Sequence, residues 1–236
     1  MATRNEFLPA ALFKFDNLEE YVQKHLKNVY GCLGIGMLTA AVGAYVHLFT
    51  NLMQAGLLTA IGSIGLMIWL ASIHHSKETV GKRMAIFSGF TFLSGISLGP
   101  LLDMAMTIDP SIIPSALLGT AVIFISFTLA ALYNNNRTFL YLGGFILSGL
   151  SFLMVSSLAN LFFRSQMLYD LNLYGGLIIF CAFVLYDTQL IIEKRRMGDE
   201  DFVWHAVDLF IDFIQIFRRL LIILSKKEED KKRRRN

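Results

Sequence analysis

Apolar residues in this chain fall into long blocks separated by short polar connections. Val29–Thr50, Leu52–Ile73, Met84–Leu102, Ile112–Tyr133, Thr138–Phe163 and Leu171–Ile192 contain no Asp, Glu, Lys or Arg apart from Asp187. A helix needs about 20 such residues to cross the ~30 Å hydrocarbon core of a bilayer. Water is absent there, so each block must satisfy its backbone internally, as a helix. Phe202–Leu224 is a seventh block, interrupted by Asp208, Asp212, Arg218 and Arg219. The pattern predicts an all-α polytopic membrane bundle of seven helical segments. The seventh is expected to be short and polar-striped, either spanning or re-entrant.

Three regions follow from this division. Residues 1–28 form a leader, 29–224 the transmembrane bundle and 225–236 a basic tail. Within the leader, Asp16–Asn28 reads as a short amphipathic helix, with Asp16 as cap and Glu19 reaching back in a capping box. Leu18, Tyr21, Val22, His25 and Leu26 share one face. That face is expected to rest on the membrane surface or the bundle, with His25 an interfacial side chain. No cleavable signal peptide is apparent, because the first apolar block follows a charged leader.

Basic residues in the connections set the expected orientation. Lys77, Lys82 and Arg83, then Arg137, then Lys194, Arg195 and Arg196 occupy alternate connections, which places the N-terminus in the cytosol. Seven complete crossings would carry the tail to the other side, against the same rule. Lys226–Arg235 holds seven basic and three acidic residues. The reading preferred from sequence keeps this tail cytosolic, where it can anchor the last helix, bind anionic lipid or dock an acidic partner.

At 55% hydrophobic residues the composition excludes an ordinary soluble domain. Cys32 and Cys181 lie inside apolar blocks and read as small buried hydrophobes. Small residues recur at packing spacing, as in Ala40 with Ala44, Gly95 with Gly99, and the Gly143-Gly144 and Gly175-Gly176 pairs. Gly95-Ile96-Ser97-Leu98-Gly99 matches a nucleophile elbow, but that motif requires a strand-to-helix turn. His74 and His75 are adjacent and point apart on a helix, which argues against zinc. The Asn136-Arg137-Thr138 sequon falls in an expected cytosolic connection and should stay unmodified. No enzyme and no nucleic-acid module is expected.

Charged groups in the apolar blocks are the strongest functional signal, because an intramembrane carboxylate is costly. His205, Asp208, Asp212, Gln215 and Arg219 are spaced three, four, three and four apart, which places them on one helix face. Such a stripe faces a water-filled cavity or a polar helix, making His205, Gln215 and Arg219 candidate pore-lining residues. The same stripe also fits an internal network in which Asp212 bonds Arg219 or Arg218. Asp187 lies near the end of the sixth block. Paired with Asp212 or Asp208, it would share one proton, since two adjacent carboxylates do not both ionise cheaply. Protonated, such a pair holds two helices together. Deprotonated, Asp187, Asp208 and Asp212 would offer a transient Ca²⁺ site of oxygen ligands.

Several stretches resemble the Bax inhibitor-1 family, the transmembrane Bax inhibitor motif proteins. They are His25-Leu26-Lys27, Gly43–His47, Gln54–Leu58, Met67–Leu70, Phe183–Lys194 and Asp208–Phe213. The resemblance covers nearly the whole chain. It implies seven helices in the endoplasmic reticulum membrane, a pH-sensitive Ca²⁺ leak, and suppression of apoptosis and stress signalling. Expected partners are Ca²⁺ and H⁺, membrane lipids, and apoptosis and ER-stress regulatory membrane proteins. No cofactor is implied beyond Ca²⁺ as permeant ion. The family's di-aspartyl sensor maps to Asp187 and Asp212, with Asp208 one turn away, and its cytosolic pH-sensing tail maps to the basic C-terminus. Some bacterial relatives add an arginine on the second helix; Leu52–Ile73 has none. A scaffold restraining death or stress sensors, or a Ca²⁺/H⁺ exchanger, would use the same residues differently.

Overall fold

The computed structural model describes residues 18–50, 55–134 and 137–235. Seven helices account for most of them. They are α1 (Glu20–Phe49), α2 (Leu57–Ser72), α3 (Val80–Ile108), α4 (Ile112–Tyr133), α5 (Gly143–Phe163), α6 (Gly176–Arg196) and α7 (Phe202–Arg235). A 3₁₀ stretch, Arg137–Leu142, leads into α5. A short helix, Gln166–Asp170, and a π turn, Leu171–Gly175, lead into α6. Five of these runs are long and apolar enough to cross a membrane, the fifth being Gln166–Arg196 as a whole. Their outward faces carry Leu38, Val42, Leu118, Ile125, Phe145 and Phe162, all exposed. Such surfaces suit lipid, and the chain is a multi-pass membrane protein.

Three expectations change. The second block forms a helix of only 16 residues, about 24 Å long. It begins after the extended Gly56 and ends at the extended Ile73, so apolar composition overstated its helical length. The leader is not a separate amphipathic helix. It opens at Glu20 and runs without a break into the first span, with His25 buried. Asp16 and its capping box, and Asn136 of the sequon, lie outside the described residues.

The seventh segment is not short. It is one helix of 34 residues, about 51 Å long. Near its start, Asp201 binds Arg83 at the head of α3, while Arg196 reaches Glu19 before α1. Near its end, Lys226 binds Asp170 at 2.8 Å and Lys232 donates to the Ile108 carbonyl. Lys226 therefore stands at the end of the bundle opposite Glu19, roughly 36 Å along α7 from Phe202. The basic tail is helical up to Arg235, stitched by Lys231–Glu228 and Arg233–Glu229 pairs.

Charges survive in α7 because it is the central helix. It packs against α1, α3, α4 and α6. Val203, Ala206, Leu209, Phe210, Ile216 and Leu221 are fully buried against them. Phe210 meets Phe87 and Phe90 of α3, and Phe213 meets Phe124 of α4. The tightest contact elsewhere joins α1 and α3. A Cβ on Gly95 would lie 2.7 Å from the Ala40 carbonyl carbon, and one on Gly43 would strike the Phe92 carbonyl. Only glycine allows backbones this close.

Candidate functional site

The α6–α7 connection sets the register of everything beyond it. Gly198 takes φ +99, which suits glycine, and turns the chain after α6. The Asp199 carboxylate accepts from the Asp201 backbone at 2.8 Å, and Asp201 caps α7 by accepting from the Trp204 backbone at 3.0 Å. The other Asp201 oxygen takes the Arg83 guanidinium. Arg83, only 2% exposed, also donates to the carbonyls of Leu70 and Ile73 at the end of α2. One arginine thus ties two connections together and satisfies helix-terminal carbonyls that hydrocarbon would leave unbonded.

From this anchored end, four consecutive residues of α6 point four ways, as successive helical positions must. Tyr186 covers Gly143 of α5. Asp187 lies close to Asp212 of α7. Thr188 is fully buried and lies with Thr128 of α4 beside the Tyr30 hydroxyl of α1. Gln189 accepts from the Phe139 backbone at 2.9 Å and donates to the Asn134 carbonyl at 3.2 Å, holding the α4–α5 connection.

Asp212 is 2% exposed, and among the described residues its Oδ2 has no donor. A hydrogen bond between two carboxyls requires a proton on one of them. Asp208, one turn earlier and half-buried, adds a third carboxylate nearby. Among the described residues, no three His, Cys, Asp or Glu side chains converge as a metal cluster. Asp187, Asp208 and Asp212 lie near one another where α6 meets α7.

The remaining stripe residues separate along α7. His205 is fully buried and its Nδ1 lies 2.9 Å from His25 Nε2 on α1, with Asp199 3.6 Å from its other nitrogen. Arg219 donates to its own helix, to Gln215 Oε1 at 2.7 Å, and lies over the Phe180 ring. It packs on Gly176, where a Cβ would strike the guanidinium. The stripe thus has three stations: His205 on α1, the aspartates on α6, and Gln215 with Arg219 farther down. Gln215 and Arg219 border a cleft of about 230 Å³. Arg219 is bonded to Gln215, not to Asp212, so the internal pair considered from sequence does not form.

Sequence reasoning missed two partners. Arg83 registered only as a topology signal, and His25 only as interfacial. Nothing local marks either one, because Arg83 and Asp201 are 118 residues apart, and His25 and His205 are 180 apart. Cys32 and Cys181 are free and buried, Cys32 against the Met84 sulfur.

Comparison with known proteins matches residues 22–229 to a family model described as "Inhibitor of apoptosis-promoting Bax1". Over 211 residues the chain is 54% identical to Bax inhibitor 1 of Bos taurus and 53% identical to that of Homo sapiens, covering 89% of each chain. Over 212 residues it is 43% identical to Bax inhibitor 1 of Arabidopsis thaliana, covering 89% of this chain and 84% of the relative.

Proposed function

The chain belongs to the Bax inhibitor-1 family, and from that premise we propose that it is a pH-sensitive Ca²⁺ leak channel of the endoplasmic reticulum membrane. In this role it suppresses cell death and modulates stress signalling. The observation that carries the reading is the closeness of half-buried Asp187 on α6 to buried Asp212 on α7.

A shared proton lets α6 lie directly against α7. Its loss leaves two negative charges side by side, with Asp208 as a third. At about 4 Å and an effective dielectric near 20, each close pair repels by about 4 kcal/mol. That is enough to favour separation of α6 from the central helix. The freed carboxylate oxygens then suit a hard cation such as Ca²⁺ in transit. Protonation closes the path and deprotonation opens it. Lys77, Lys82, Arg83 and Lys194–Arg196 lie on the cytosolic side in this account, and α7 carries the tail across.

Purified protein in liposomes separates this reading from the alternatives. A leak passes Ca²⁺ with no protein partner present. A scaffold acting on apoptosis or ER-stress regulators passes none. A Ca²⁺/H⁺ exchanger moves a proton against each increment of Ca²⁺, detectable with a lumenal pH dye, whereas a leak shows no such coupling.

A further inference from the structure

Far down α7 from the aspartate pair, two guanidinium groups share a cleft that contains no carboxylate. Arg218, Arg219 and Gln215 of α7 face Ser157 and Asn160 of α5, with Tyr169 and Asn172 from the lead-in to α6. The volume is about 230 Å³. Neither arginine has an ion-pair partner among the described residues, and the Asn160 Oδ1 is buried without a donor. The nearby Lys226 and Asp170 neutralise each other at 2.8 Å. Two positive charges therefore remain uncompensated.

Their depth decides what can compensate them. Arg219 lies about 10 Å up α7 from Lys226, at 1.5 Å per residue. The α5 face beside the cleft is apolar and exposed, with Leu158, Leu161 and Phe162. Tyr169 stands at the rim with the Lys226 ammonium over its ring, as aromatic residues do at the membrane interface. The backbone at the cleft is also a π turn, Leu171–Gly175, which places Asn172 and Leu173 on its wall. Such turns recur at functional sites.

We propose that this cleft seats the phosphate of one membrane phospholipid. Arg218 is exposed and Arg219 is held between α6 and α7, yet both line the one cleft, where two cationic donors suit a phosphate. Ser157, Asn160 and Asn172 supply further polar groups at the wall. Basic pockets between transmembrane helices take lipid headgroups in this manner. The acyl chains then lie along Leu158 and Leu161, a contact that free phosphate cannot make.

The test uses the full-length protein, purified in detergent, delipidated and loaded with phosphatidylglycerol, with retained lipid read by native mass spectrometry. Wild type should hold about one lipid per chain through a detergent wash. Arg218→Gln/Arg219→Gln should reduce retention about tenfold, which is about 1.4 kcal/mol. Ser157→Trp, which fills the cleft from an exposed position on α5 and leaves both arginines in place, should do the same. Excess inorganic phosphate should displace nothing. Equal retention by wild type and both variants, no retention by wild type, or displacement by inorganic phosphate would each overturn the proposal.

Discussion

Replacing Arg83 with Met should destabilise the bundle far more than a typical single substitution. The guanidinium is 2% exposed and serves Asp201, the Leu70 carbonyl and the Ile73 carbonyl at once. Methionine keeps much of the volume and removes all three interactions. Breaking a buried ion pair from one side costs about 3–5 kcal/mol. Asp201 is 21% exposed and keeps the Trp204 backbone as donor, so part of its charge is solvated after the loss. The low end, about 3 kcal/mol, is the expected cost. Arg83→Lys should fall between, because an ammonium keeps the charge but cannot fork to carboxylate and carbonyls together. The assay is equilibrium unfolding of the purified protein in mixed micelles, run as a double-mutant cycle with Asp201→Asn. A coupling energy of at least 1 kcal/mol is expected, within the range seen for residues in direct contact. An Arg83→Met variant within about 0.5 kcal/mol of wild type, the ordinary surface range, would refute the idea that this arginine fastens the two connections.

Other outcomes follow from the same contacts. Gly95→Ala should cost about 1–3 kcal/mol in the same unfolding assay, since its Cβ would meet the Ala40 backbone, which cannot rotate away. His25→Leu should cost about 1–3 kcal/mol by stranding the buried His205 Nδ1, and adding His205→Leu should recover part of the loss, because two apolar partners strand nothing. Glu19 is held below the ordinary carboxylate range by a hydrogen bond from its own backbone and then by the Arg196 guanidinium. A lowered folded-state pKa means that its contribution is complete above the unfolded value and is lost as pH falls through the folded one. Protection from hydrogen exchange at the first turn of α1, relative to the intrinsic rate at each pH, should therefore fall in acid as Glu19 takes up its proton, and Arg196→Ala should weaken this pH response.

Apolar blocks without charges revealed most of the fold, because hydrocarbon forces long uncharged runs into helices. The method failed at both extremes of that rule. Leu52–Ile73 looked like a full span, yet its helix closes at Gly56 and Ile73. Phe202–Leu224 looked too polar and too short, yet it is the first part of the longest helix. Its aspartates are sheltered by α1, α3, α4 and α6, and burial by protein is a tertiary fact that hydropathy does not contain. Residues after Ser225 read as a loose tail because their charge hid the Glu–Lys and Glu–Arg spacing that supports a helix. At the site, the one-face spacing from His205 to Arg219 was legible. Which helices that face would meet was not, since Asp187, His25 and Phe180 come from distant parts of the chain. The resemblance to a known family supplied the pairing of Asp187 with Asp212, and the two lie close to each other at the α6–α7 interface.

Ca²⁺ flux through purified protein in liposomes, taken across a pH series for wild type and Asp212→Asn, tests the central claim most directly. Wild type should pass Ca²⁺ with a rate that rises as the pair loses its proton, and Asp212→Asn should lose that pH dependence while remaining folded. Flux from the variant that follows pH as wild type does, or no flux above empty liposomes at any pH, would contradict it.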